Sequence, residues 1–143
     1  MMAKYRFSLM AAVPAVALLI GSAGLFAKDP KLSGAPEYNP ATVVHIRAAV
    51  DSVKTTPEGE VLAGAHLFIK NGGETLDVFL GPSQYIKIFN LPLNPGDRVD
   101  VLGSEVKFKG ANLILGREVA KGQVTMILRD EAGTPMWNDW MDD

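Results

Sequence analysis

The sequence predicts an all-β fold with one short helix, a small barrel of five to six strands preceded by an export leader and a flexible tether. Three observations predict it. Residues 43–50 alternate between apolar and polar positions, short β-rich runs after Thr42 are divided by Gly, Pro and Asn turn signals, and the first 23 residues have the three-part layout of a secretory signal peptide.

In the leader, Lys4 and Arg6 precede an apolar run from Phe7 to Ile20, which ends in Gly21, Ser22, Ala23 and Gly24. Cleavage after Ala23 puts Gly21 and Ala23 at the two positions where the peptidase needs small residues, whereas cleavage after Ala27 would put Leu25 there. The apolar stretch also approaches the roughly 20 residues that cross a bilayer, so an uncleaved inner-membrane anchor is the alternative. Pro14 and the small-residue cluster favour cleavage and a periplasmic protein. Removing residues 1–23 leaves 120 of 143, enough for one domain and its core. The leader holds two of the 14 basic residues and none of the 16 acidic ones, so the mature chain carries a net charge of about −4. That sign disfavours nucleic acid as a partner. With no cysteine in the chain, a lipoprotein N-terminus, a disulfide framework and thiolate metal sites are excluded.

The segment 24–41, GLFAKDPKLSGAPEYNPA, is rich in Pro, Gly and polar residues without sustained periodicity and reads as the tether. The barrel is expected over 42–137. Its first strand, TVVHIRAAVDSVK, puts Val44, Ile46, Ala48 and Val50 on one face and His45, Arg47, Ala49 and Asp51 on the other. A polar loop with Pro57 and Gly59 follows. AHLFIK and TLDVFL, joined by Asn71, Gly72 and Gly73, form a hairpin. Gly81 and Pro82 end it, and PSQYIKIF forms one or two helical turns with Tyr85, Ile86 and Phe89 on a common side. After the LPLNPGD turn come RVDVLGSEVKF, ANLILGREV and QVTMILRD, separated by two Lys-Gly turns. The chain closes in EAGTPMWNDWMDD, whose last residues, 138–143, read as a solvated acidic tail.

Three strands, a short helix and two strands are the element order of the oligonucleotide/oligosaccharide-binding barrel, the OB-fold, here with one strand appended. The segments HLFIKNGGETLDVFLGPSQY, NPGDRVDVLGSEV, LILGREVAKGQ and LRDEAGTPMW resemble small exported bacterial OB-fold proteins of undetermined activity. The resemblance runs from Thr42 to Trp137. Its most specific pieces are the LGP turn at Leu80–Pro82 with Tyr85 and the LRD-x-x-G-x-P-x-W ending. This set is similar in layout to the bacterial stress-linked OB-fold proteins. The resemblance implies a fold and a compartment and brings no catalytic or ligand residues with it.

Either two-residue turn in the hairpin pairs odd positions of its first strand with even positions of its second, so the faces are fixed. Ala65, Leu67, Ile69, Leu76, Val78 and Leu80 face the core. His66, Phe68, Lys70, Thr75, Asp77 and Phe79 face outward. This face is the usual ligand platform of the fold, and its rings can stack planar groups. The candidate ligand-binding residues are therefore His66, Phe68, Lys70, Asp77 and Phe79, with Trp137 of the C-terminal segment as a further contact. The competing reading has the tether or the tail covering Phe68 and Phe79, and Trp137 closing the end of the barrel.

Enzymatic signatures are absent: the sequence has no G-x-S-x-G, no phosphate-binding glycine loop and no H-E-x-x-H. His66 and Asp77 make half of an acid–base arrangement without a nucleophile. His45, His66, Met126, Met136 and Met141 have metal-ligating chemistry but no recognised ligand spacing, so no metal or other cofactor is expected. Arg129 and Asp130 are expected to make a local turn contact or ion pair. The sequence thus reads as a non-catalytic binding or adaptor module for an envelope protein or polymer. A single-stranded nucleic-acid or oligosaccharide binder and a periplasmic metal or redox accessory are the alternatives.

Overall fold

The computed structural model describes residues 34–141. The expected leader and the first ten residues of the expected tether lie outside the described residues, as do Asp142 and Asp143. Among the described residues there are six strands: β1 (Val43–Thr56), β2 (Gly64–Asn71), β3 (Glu74–Gly81), β4 (Arg98–Phe108), β5 (Ala111–Lys121) and β6 (Val124–Ile127). Helix α1 (Ser83–Lys87) lies between β3 and β4, as expected, and a second short helix, α2 (Trp137–Met141), ends the described chain. Among the described residues no helix is long and apolar enough to cross a membrane.

The strands run in the order β3-β2-β1-β4-β5-β6, and a parallel pairing of Asp77–Phe79 with Leu113–Leu115 joins β3 to β5 and closes five strands into a barrel. Strand β6 extends β5 outside that closure. β1 serves two neighbours: Val43–Ala49 pair with β4, and Ala49–Thr56 pair with β2. A register shift between Val50 and Ser52 marks where it bends from one to the other, the local kink a bulge supplies. A second shift, between Leu102 and Gly103, curls β4 over β5. There a Cβ would overlap the Leu115 carbonyl, so only glycine permits the approach.

The barrel interior is filled by the inward positions the alternation predicts. Ala48, Val50, Leu67, Ile69, Val78, Leu80, Val99, Val101, Ile114, Val119, Met126 and Leu128 are buried, and Tyr85 of α1 covers one end with Phe89 and Leu91 packed nearby. A second apolar cluster lies outside the barrel wall: Phe79, Leu113 and Leu115 are buried beneath Tyr38, Leu62, Val106, Phe108 and Trp137. The central part of β5 is thus covered on both faces, which accounts for its unbroken Leu-Ile-Leu run.

Two boundaries differ from the sequence expectation. Tyr38 packs in the outer cluster, and the Asn39 backbone N–H donates to Ser104 Oγ at 3.0 Å, so the end of the expected tether belongs to the domain. Residues 137–141, expected as the barrel's end and the start of an acidic tail, form α2, with Trp140 against Tyr85 at 5.6 Å between ring centroids.

Candidate functional site

The β2–β3 hairpin turns at Gly72 and Gly73, with Asn71 paired to Glu74 and Gly72 at φ 66°, the left-handed conformation such a turn requires. The register sets Lys70 opposite Thr75, Phe68 opposite Asp77 and His66 opposite Phe79, so the expected outward residues share one face. That face divides in two.

Toward the turn it is open. Phe68 is half-buried and Lys70 exposed. The Lys54 ammonium lies 5.3 Å from the centre of the Phe68 ring, and Lys70 Nζ stands 3.7 Å from Asp51 Oδ1. Lys54 completes this group because β1, after its bulge, runs beside β2 with Lys54 opposite His66. The hairpin alone does not reveal that neighbour. The signal is in the continuation of the first strand past Asp51, whose bulge sets which face Lys54 takes.

Toward the barrel end the face is closed. His66 and Phe79, expected on an exposed surface, are only 6% and 5% exposed. Their rings lie 5.2 Å apart, and Trp137 meets Phe79 edge-on at 6.3 Å. The covering alternative therefore holds for Phe79, with the C-terminal segment as the cover. Trp137 can approach because residue 81 is glycine: a Cβ there would come within 2.7 Å of the indole. Trp137 also carries the Arg129 guanidinium at 5.2 Å, and Arg129 lies 5.8 Å from the Tyr38 ring. Arg129 Nη1 donates to the Gly133 carbonyl at 2.9 Å, while Asp130 Oδ1 accepts from the Ala132 and Thr134 backbone N–H groups. Arg129 and Asp130 thus make turn contacts. Burial pushes the Arg129 pKa down, but a guanidinium stays charged and gains from two aromatic faces.

His66 is the most constrained polar group of the hairpin. Its Nδ1 is 2.8 Å from Asp77 Oδ1 and its Nε2 is 2.8 Å from the Leu62 carbonyl oxygen. Burial opposes its charge, yet the hydrogen bonds to Asp77 and Leu62, with the Asp77 charge, outweigh that and hold its pKa above the ordinary 6.5. Asp77 is thereby turned inward to His66.

The residues with metal-ligating chemistry are dispersed. His45 lies in a shallow hollow with Asp100, Leu102, Glu118, Ala120 and Thr125, its Nε2 3.9 Å from Asp100 Oδ1. Asp100 is already bound by Arg47 at 2.8 Å. His66 is on the hairpin and Met126 in the core. Among the described residues no three His, Asp or Glu side chains gather in a metal-holding group.

The model of the MamS/MamX magnetosome protein family matches residues 42–126, which run from just before β1 to the third residue of β6. No curated protein matches the chain. The family match contains the hairpin and Lys54. It ends before Arg129 and Trp137 and begins after Tyr38.

Proposed function

Since the chain belongs to the MamS/MamX magnetosome protein family, we propose that it is an exported, non-catalytic binding module, an accessory of the magnetosome that presents the open half of its β2–β3 hairpin to an acidic segment of an envelope protein or to an acidic polymer. One observation carries the reading: Lys54 stacked on Phe68 at 5.3 Å, with Lys70 beside them, is an aromatic and cationic group on an exposed sheet surface. The ring offers a planar apolar contact, and the two ammonium groups favour a carboxylate-bearing ligand. The closed five-stranded barrel supports an analogy with the OB-fold, whose second and third strands commonly carry the ligand, and this analogy bears on the location only.

The non-catalytic part of the reading rests on His66 and Asp77. Both imidazole nitrogens are spent on internal acceptors, which leaves neither for a substrate proton. Export rests on the leader, and the N-terminal residue of the protein recovered from the envelope fraction tests it: Gly24 is expected, and an intact leader would favour the anchored form.

The binding reading is tested by amide NMR titration with three probes used separately: an acidic peptide, an acidic polysaccharide fragment and a short single-stranded DNA. Shifts centred on Lys54, Phe68 and Lys70 with the peptide or polysaccharide are expected. Phe68→Ala should weaken that binding by about fivefold or more, given roughly 1 kcal/mol or more for truncating an anchoring ring. A response to DNA alone would favour the single-stranded nucleic-acid alternative, and a silent hairpin with all three would overturn the site.

A further inference from the structure

We propose that His66 is a pH-responsive latch, holding the β1–β2 loop against the hairpin while its imidazole is charged and releasing that loop when the ring becomes neutral. The inference goes beyond the binding reading and does not depend on it. It begins with donor and acceptor counting. Nε2 faces the Leu62 carbonyl and Nδ1 faces the Asp77 carboxylate, both at 2.8 Å, and neither oxygen has a proton to give. A neutral imidazole has one N–H and can satisfy one of them. Only the imidazolium satisfies both.

Loss of the proton leaves an N–H for the charged partner, Asp77, and turns a lone pair toward the Leu62 oxygen. The side chain is 7% exposed, so water is poorly placed to relieve the clash of two acceptors. Besides the packing of Leu62 on the outer apolar cluster, the loop has only weak ties of its own. Between Pro57 and Ala63 its own backbone bonds, Glu60 N–H to Pro57 and Ala63 N–H to Glu60, are long at 3.4 and 3.2 Å. Leu62 itself sits at φ 60°, a left-handed conformation that favours glycine, so it relaxes once freed. Pro57, Glu58 and Ala63 of the same loop line a cleft of about 470 Å³ whose other wall is Pro82, Ser83, Gln84 and Lys87.

The surroundings identify which charges act on the latch. From β3, Asp77 is in direct contact. From β1, Lys54 stands opposite in register with its ammonium drawn over Phe68. The loop contributes Glu58 and Glu60, both exposed. β5 contributes apolar Leu113 opposite Asp77 and Leu115 opposite Phe79, and the C-terminal segment contributes Trp137 against Phe79, with the Arg129 guanidinium 5.2 Å from that indole. Asp77 is thus the one carboxylate bonded to the ring.

The chain has two histidines, which makes the test clean. Full-length protein with 15N-labelled histidine is titrated while amide hydrogen exchange is followed in the loop, with the Gly72–Gly73 turn as the reference for the intrinsic effect of pH. At low pH both His66 nitrogens should give imidazolium signals, with a midpoint above 6.5, the ordinary value. Across that midpoint, exchange at Val61–Ala63 should rise about tenfold relative to the turn. Asp77→Asn should lower the midpoint and move loop release to lower pH with it, and His66→Phe, which keeps a ring but has no donor for Leu62, should free the loop at every pH. Asp77→Asn alone suffices where His66→Phe does not fold. A midpoint at or below 6.5, or a loop whose protection ignores the His66 titration, overturns the latch.

Discussion

At the scale of single residues, aromatic rings occupy space that glycines leave open. A Cβ on Gly133 would overlap the Tyr38 ring, and Gly133 also stands at φ 96°. Gly96 has nearly the same backbone, φ 91°, with open space around its absent side chain. The pair separates conformational strain from steric overlap. Gly96→Ala should cost about 1–2 kcal/mol through the backbone alone. Gly133→Ala should cost the same plus about 1–3 kcal/mol for displacing Tyr38. Urea midpoints of the two variants measure the difference, and equal losses would mean that Tyr38 moves aside freely. Arg129 belongs to the same contact. Its planar cation lies near both Tyr38 and Trp137, and a lysine cannot reproduce that stacking while bonding the Gly133 carbonyl. Arg129→Lys should therefore destabilise by about 1–2 kcal/mol, measured the same way.

At the scale of elements, the β2–β3 hairpin shows what a sequence pattern carries and where it stops. The pairing parity fixed which residues point outward, because a two-residue turn leaves one choice of faces, and the core set Leu67, Ile69, Val78 and Leu80 is fully buried. Period-two alternation does not contain the covering of an outward face. His66 and Phe79 look like surface residues within the hairpin, and they become interior through distant segments: Leu62 of the β1–β2 loop bonds His66, and Tyr38, Leu62 and Trp137, the last 58 positions beyond Phe79, pack on the Phe79 cluster. A partial clue is present in Phe79 and Gly81, a bulky ring followed two positions later on the same face by a residue with no side chain. Lys54 was equally hidden, since its contact with Phe68 follows from the bulge after Val50. Gly72 ties the element together, at φ 66° with nothing within 4 Å of its missing Cβ. Asparagine tolerates that conformation and valine does not. Gly72→Asn should leave the thermal midpoint within a few degrees of the parent, and Gly72→Val should lower stability by about 1–2 kcal/mol.

At the scale of the whole molecule, charge couples the fold to pH from both sides. On the acid side, Lys121 bonds Asp97 at 2.7 Å, the Asn94 backbone N–H bonds it at 2.8 Å, and Arg47 bonds Asp100 at 2.8 Å; these bonds hold both carboxyls below their ordinary value of 3.8. The unfolded chain binds protons there more readily than the folded one, so this stability is present above 3.8 and lost as pH falls through the depressed values. The Lys121 contact has a long reach, because Nζ also donates to the Pro92 carbonyl and so ties the segment between α1 and β4 to β5. On the other side, His66 binds its proton more tightly when folded. Its contribution is complete below the unfolded value of 6.5 and is lost as pH rises through the higher folded one. Opposite signs at the two ends give a plateau on the acidic side of neutrality, with a falling limb on each flank. Urea midpoints taken from about pH 3 to pH 8.5 should trace it, spanning the ordinary carboxyl and imidazole ranges. His66→Gln should remove the upper limb and leave the lower one intact. A parent protein whose stability is level from pH 6 to 8.5, or rises there, would show that the imidazole gains no proton affinity on folding.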